Sequence, residues 1–203
     1  MSRILFSTIL LLLFFSNFAF SNPPKGDYLE VKPPPKLNSL EIITFDEYFN
    51  FTCPHCNNFN KASIKLKEKH KTLIKINYIP VLFRNQSDFP LRLFYIAESK
   101  GKALEIKNLI FSAAFEQNVN IYDPNVVNYL ARVSGLAEVY KKEGNADWVT
   151  QRIFAAQTQA EEVGVRATPT VVLAGSLLVS PKKGMNTFVA NLDSLINQLA
   201  KNK

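Results

Sequence analysis

Apolar and polar positions divide the chain into alternating strand and helix segments. From Leu40, "LEIITFDEYFNF" is rich in β-branched and aromatic residues and bounded by turn residues, the pattern of a largely buried strand. Phe59, Ala62, Ser63 and Leu66 then recur at helical spacing, predicting a helix from Pro54 to about Lys69. "LIKINYIPVLF" (Leu73 to Phe83) is a second strand. From Pro90 to Glu162 the pattern is helical: two helices separated near Gly101, one capped by Asp123 and Pro124 and ending at Gly135, and a long one ending at Gly164. Strand character returns in "PTVVLAG" and "LLVS". The last segment lines up Phe188, Leu192, Leu195, Ile196 and Leu199 on one face of a helix. A proline-rich lead-in precedes all of this, with a short edge strand at Tyr28 to Val31 broken by Pro33 to Pro35. No internal repeat or low-complexity tract is visible. The order fits an α/β domain split by an all-helical insertion.

The N-terminus changes this picture by one segment. "MSRILFSTILLLLFFSNFAFSN" has Arg3 as a positive n-region, an apolar core from Ile9 to Phe15, and small residues Ala19 and Ser21 before a cleavage point at Asn22. Residues 1–21 are therefore expected to be a signal peptide. As an anchor the apolar run is too short, since a bilayer span takes about 20 residues. The formal net charge of +7 falls by one with Arg3. The lysines are dispersed, which favours a basic solvated surface over a nucleic-acid site.

The chain has only two cysteines, Cys53 and Cys56, in "FNFTCPHCNNF". A small exported domain lacking a core would carry many cysteines as staples; two point to a tool. Haem attachment needs His directly after the second cysteine, where Asn57 stands. Zinc usually takes four N or S ligands, and the chain offers these two cysteines, His55 and His70. Redox chemistry fits better, so no metal is expected. Cys53 falls at the first turn of a helix, where free N–H groups and the dipole favour a thiolate. Pro54 suits that turn because its missing N–H costs nothing there. His55 can give the sulfur a hydrogen bond or a positive charge. A stabilised thiolate makes the reduced form more stable and the disulfide a stronger oxidant.

"CPHC" between a buried strand and a helix resembles the DsbA family, thioredoxin-fold disulfide oxidases of bacterial cell envelopes. The similarity covers most of Tyr28 to Lys203: Glu47 stands where the family has a buried acid, "VGVRATPT" resembles the segment leading to its cis-proline, here Pro169, and "GMNTFVANLDSLINQLAKN" resembles its terminal helix. The resemblance implies a thioredoxin-like domain from 22–81 and 164–203, with a helical insertion domain at 82–163. It implies that Cys53 is the exposed sulfur attacked by substrate and Cys56 the buried one released. Pro169 would face Cys53, and the Thr168 backbone would pair with substrate. Glu47 would move protons to and from Cys56, or serve as a salt-bridged acid at a strand end.

On this reading the protein is a monomeric periplasmic oxidase. It needs no cofactor beyond a Cys53–Cys56 disulfide, acts on reduced, unfolded exported proteins, and is reoxidised by a membrane-embedded DsbB-like partner. The alternatives are a reductase or isomerase kept reduced by a membrane partner, and a chaperone-like peptide-binding module. Thr168 departs from the valine of many DsbA proteins and is similar to the dimeric isomerases of the superfamily. About 18 residues between Asn22 and Leu40 are too few for their dimerisation domain. Thr168→Val is expected to shift the redox potential towards stronger oxidation, if the hydroxyl favours the disulfide. Two N-x-S/T sequons, at Asn50 and Asn85, are expected to be accidental.

Overall fold

The computed structural model describes residues 23–31, 42–83 and 85–201. The expected signal peptide at 1–21, the prolines at 33–35 and the expected start of the first long strand at 40–41 lie outside the described residues.

Among the described residues the chain runs β1 (Leu29–Glu30), β2 (Ile43–Phe49), α1 (Pro54–Lys69) and β3 (Ile74–Pro80). It then makes α2 (Phe89–Ser99), α3 (Ala103–Phe115), α4 (Pro124–Val133), α5 (Ala137–Glu143) and α6 (Asp147–Glu162). It closes with β4 (Thr170–Leu173), β5 (Leu177–Val179) and α7 (Met185–Lys201). The strands form one sheet in the order β1-β5-β4-β2-β3. Only β2 and β3 are parallel, joined through α1; the other pairings are antiparallel. The parallel pair needs a crossover helix, and α1 supplies it. The helical block α2–α6 stands between β3 and β4.

β2 lies between β3 and β4, with every residue buried or half-buried. Its apolar residues are β-branched or aromatic, and Thr44, Asp46 and Glu47 interrupt them. One core packs Ile43 and Phe45 of β2, Phe59 and Leu66 of α1 and the strand residues Val171 and Leu173 against Phe188, Leu192, Leu195, Ile196 and Leu199 of α7. The expected apolar face of α7 is the one it buries. Phe59 and Phe188 meet with ring centroids 4.8 Å apart.

A second core joins the upper end of β2 to the helical block. Phe49, Phe51, Phe94 and Phe111 cluster there, with Phe49–Phe51 edge to face at 5.1 Å and Phe51–Phe111 at 5.4 Å. Edge-to-face pairs of this kind add about 0.5–1.5 kcal/mol beyond their buried area. The residues just before Cys53 are thus held by the helical block as well as by the sheet.

Side-chain caps mark the starts of α1 and α4. Asp123 accepts from Asn125 N at 2.8 Å at the start of α4, followed by Pro124, and Gly135 takes φ 72° just past its end. No described helix is long and apolar enough to cross a membrane.

Candidate active site

β2 ends at Phe49, and a three-residue turn carries the chain to Cys53, the N-cap of α1. Cys53 keeps an extended backbone (φ −85°, ψ 114°) while its sulfur accepts from Cys56 N at 3.3 Å. A serine or aspartate in this position would use its oxygen in the same way; here the sulfur is the capping atom. Pro54 follows in the first turn and is exposed. Across the site the Thr168–Pro169 peptide bond is cis, and the Cys53 thiol donates to Thr168 O at 3.3 Å. The two cysteines, three positions apart in sequence, are thus brought together with Thr168 and Pro169.

Their environments differ sharply. Cys53 is half-buried and Cys56 fully buried, both as free thiols. The Cys53 pKa is lowered from 9.0 to about 5, first by the hydrogen bond it receives from the Cys56 thiol. Burial opposes this, while the Thr168 side chain and the backbone N–H groups of Cys56 and His55 lower it further. Cys56 moves the other way, because burial disfavours its thiolate and the hydrogen bond to Cys53 holds its proton. One sulfur is a thiolate at neutral pH and its neighbour remains a thiol.

His55 is exposed, and its imidazole enters no hydrogen bond or ion pair among the described residues. Its contribution to the Cys53 sulfur comes through the backbone N–H. Thr168 meets the Cys53 sulfur through its backbone carbonyl. Its side chain also lowers the Cys53 pKa.

Glu47 lies in β2, fully buried, with Lys107 Nζ at 2.5 Å. Lys107, from α3, is equally buried, and its ammonium sits 4.1 Å from the Tyr78 ring centroid and 4.6 Å from that of Phe49. Burial pushes the Lys107 pKa down, opposed by the Glu47 charge and by Cys56. Sequence reasoning missed Lys107. The signal was present: it takes a position among Ala103, Ile110, Phe111 and Ala114 at helical spacing in "ALEIKNLIFSAAF", where a solvated lysine does not belong.

A reactive thiolate at a helix N-terminus, with a buried thiol one turn on, defines a dithiol–disulfide oxidoreductase of the thioredoxin-like class. A family model described as the DSBA-like thioredoxin domain matches residues 44–193. The thiol:disulfide interchange protein DsbA of Pseudomonas aeruginosa is 23% identical over 150 residues, spanning 73% of this chain and 71% of that protein. The protein of the same name from Burkholderia cepacia is 24% identical over 165 residues, spanning 78% and 76%. The crystal structure of oxidoreductase DsbA from Xylella fastidiosa superposes with a TM-score of 0.75 at 23% identity, over 86% of this chain and 96% of that one. The chain belongs to the DSBA-like thioredoxin domain family; it is a thiol:disulfide oxidoreductase with a helical insertion in a thioredoxin fold.

Two outcomes follow from the site. Alkylation of Cys53 in the reduced protein should be flat at neutral pH and fall as pH drops through about 5, where the thiolate is protonated. The same depressed pKa stabilises the reduced fold, fully above the ordinary value of 9.0 and progressively less as pH falls to about 5. A rate that keeps rising up to pH 9 contradicts this. Lys107→Ala strands a buried carboxylate and should cost about 3–5 kcal/mol in denaturant unfolding, whereas the double change Glu47→Leu with Lys107→Met should cost far less.

Proposed function

We propose that the protein is an envelope dithiol oxidase that donates a Cys53–Cys56 disulfide to reduced exported proteins. The observation that carries this reading is the asymmetry of the two sulfurs, Cys53 half-buried and lowered to about 5, Cys56 buried and raised. A substrate thiolate attacks Cys53 Sγ; the Cys53–Cys56 bond breaks, a mixed disulfide forms, and Cys56 leaves as a thiolate that takes up a proton. A second substrate thiolate then attacks the substrate sulfur of the mixed disulfide. The substrate disulfide closes, Cys53 departs as a thiolate, and two electrons remain on the Cys53–Cys56 pair. The low pKa makes Cys53 a good leaving group in this last step.

Glu47 gives and takes the Cys56 proton, with Lys107 compensating its charge. Thr168 offers its backbone to an extended substrate beside Pro169, and Pro54 and His55 set the first turn. The thioredoxin-like part spans 22–81 and 164–203 and the helical insertion 82–163. Residues 1–21 direct export to the periplasm and are removed. The protein works as a monomer, and a membrane-embedded DsbB-like partner reoxidises Cys53 and Cys56. A reductase or isomerase cycle would use the same residues; the resemblance of Thr168 to the dimeric isomerases is the feature that favours it.

Trapping the thiols of growing cells with acid and a bulky alkylating agent separates the two. A Cys53–Cys56 pair held mostly as disulfide supports the oxidase, and a mostly reduced pair overturns it in favour of the reductase or isomerase. Thr168→Val should raise the Cys53 titration midpoint and move the equilibrium with glutathione towards the protein disulfide, by a few-fold for about half a unit of pKa. An unchanged equilibrium would remove Thr168 from redox tuning.

A further inference from the structure

The turn between β2 and Cys53 contains a polar arrangement that the chemistry above does not use. Asn50 is 1% exposed, and its carboxamide is fully engaged. Nδ2 donates to Val81 O at 2.8 Å and to Gln86 Oε1 at 2.7 Å. Oδ1 accepts from Thr52 N at 2.9 Å and from Thr52 Oγ1 at 2.8 Å. Asn50 O accepts from Cys53 N at 3.1 Å, so the same residue closes the turn onto the reactive cysteine. The N-x-T sequon at Asn50 is therefore a structural device, with both polar side chains committed to the protein.

Gln86 completes the arrangement from a distant part of the chain, between β3 and α2, where the chain leaves the sheet for the helical block. Its Oε1 accepts from Asn50 Nδ2 and from Phe83 N at 2.9 Å, and its Nε2 donates to Thr52 Oγ1 at 3.1 Å. The Tyr122 hydroxyl, from the helical block, lies 3.4 Å from Thr52 Oγ1. One glutamine thus pins both ends of the Asn50–Thr52 turn. Loss of a partner here leaves the buried Asn50 amide unsatisfied, which costs about 1–3 kcal/mol and is relieved by letting the turn move.

We propose that Gln86 is a positioning residue for Cys53, holding the Asn50–Thr52 turn so that the sulfur stays at the N-terminus of α1, and coupling the start of the helical block to thiol reactivity. This rests on the oxidoreductase reading and adds to it a residue that touches neither sulfur. The mechanism is geometric. The Cys53 sulfur takes a hydrogen bond from Cys56 N at 3.3 Å, and such a bond weakens steeply with misalignment. A turn free to shift loses part of that alignment.

The test uses the reduced full chain. Gln86→Met keeps the side-chain length and removes all three hydrogen bonds; Thr52→Val keeps the β-branched shape and removes the hydroxyl. Thiolate absorbance against pH and equilibration with glutathione are measured on the wild type, each variant and the pair. Each variant should raise the Cys53 midpoint by about half to one pH unit and move the equilibrium towards the disulfide by roughly 3- to 10-fold. The double variant should shift no further than the larger single one, because both act through one turn. Thr52→Val carries the test alone if Gln86→Met does not fold. Variants that lose thermal stability but keep the wild-type midpoint and equilibrium overturn the proposal and leave the oxidoreductase reading standing. An ordinary thiol midpoint in the wild type overturns both.

Discussion

The buried ion pair between Glu47 and Lys107 is the constraint around which the molecule is arranged. Two opposite charges, both at 0% exposure, are held at 2.5 Å between a central strand and a helix of the inserted block. Removing such charges from water costs several kcal/mol each, and the pair breaks even only if neither partner moves away. The sheet and the helical block therefore cannot separate at this point without exposing or stranding a charge. The aromatic cluster of Phe49, Phe51, Phe94 and Phe111 surrounds the same joint and keeps water out of it. Apolar packing supplies the attraction, and the ion pair fixes the register.

That joint lies beside the redox site. Phe49 contacts the Lys107 ammonium, ends β2 and begins the turn to Cys53. Cys56 is close enough to favour the charged form of Lys107. A thiolate formed on Cys56 thus meets a fixed positive charge, whose partner Glu47 has one oxygen, Oε2, with no hydrogen-bond partner among the described residues. The pocket that penalises the Cys56 thiolate by burial also offers it the charge of Lys107. This suits a sulfur that is charged only briefly.

Much of the fold was legible along the chain, because the patterns that revealed it are local. β2 announced itself by its β-branched and aromatic residues, α1 began at the proline expected, and α7 buried the five residues its spacing selected. Asp123 and Gly135 marked the ends of α4 for the same local reason. The cysteine pair was equally plain, since a capping sulfur and its helix are consecutive in sequence. What the pattern could not show were the long-range polar contacts. Lys107 was identifiable as misplaced on an apolar face, but its partner is sixty positions away. Gln86 and Asn50 carry no periodic signal at all. Nor do Asn191 and Gln198, whose amides clamp both backbone groups of Asp27 and Lys25 and bind the lead-in to α7. Hydrogen-bond partners are a property of the assembled chain.

The same division between local and long-range explains how the two sulfurs come to differ. The low pKa of Cys53 needs little beyond the first turn of α1: a capping position, the N–H groups of His55 and Cys56, and a neighbouring thiol to donate. Any CPHC at a helix start has those parts. The high pKa of Cys56 needs the whole fold, because its first cause is burial beneath sheet and inserted helices. The two requirements meet in one hydrogen bond, since Cys56 can donate its proton to Cys53 only if it keeps that proton. Burial of the second sulfur therefore activates the first. The helical block, which contributes no reacting atom, acts on the chemistry by keeping Cys56 dry.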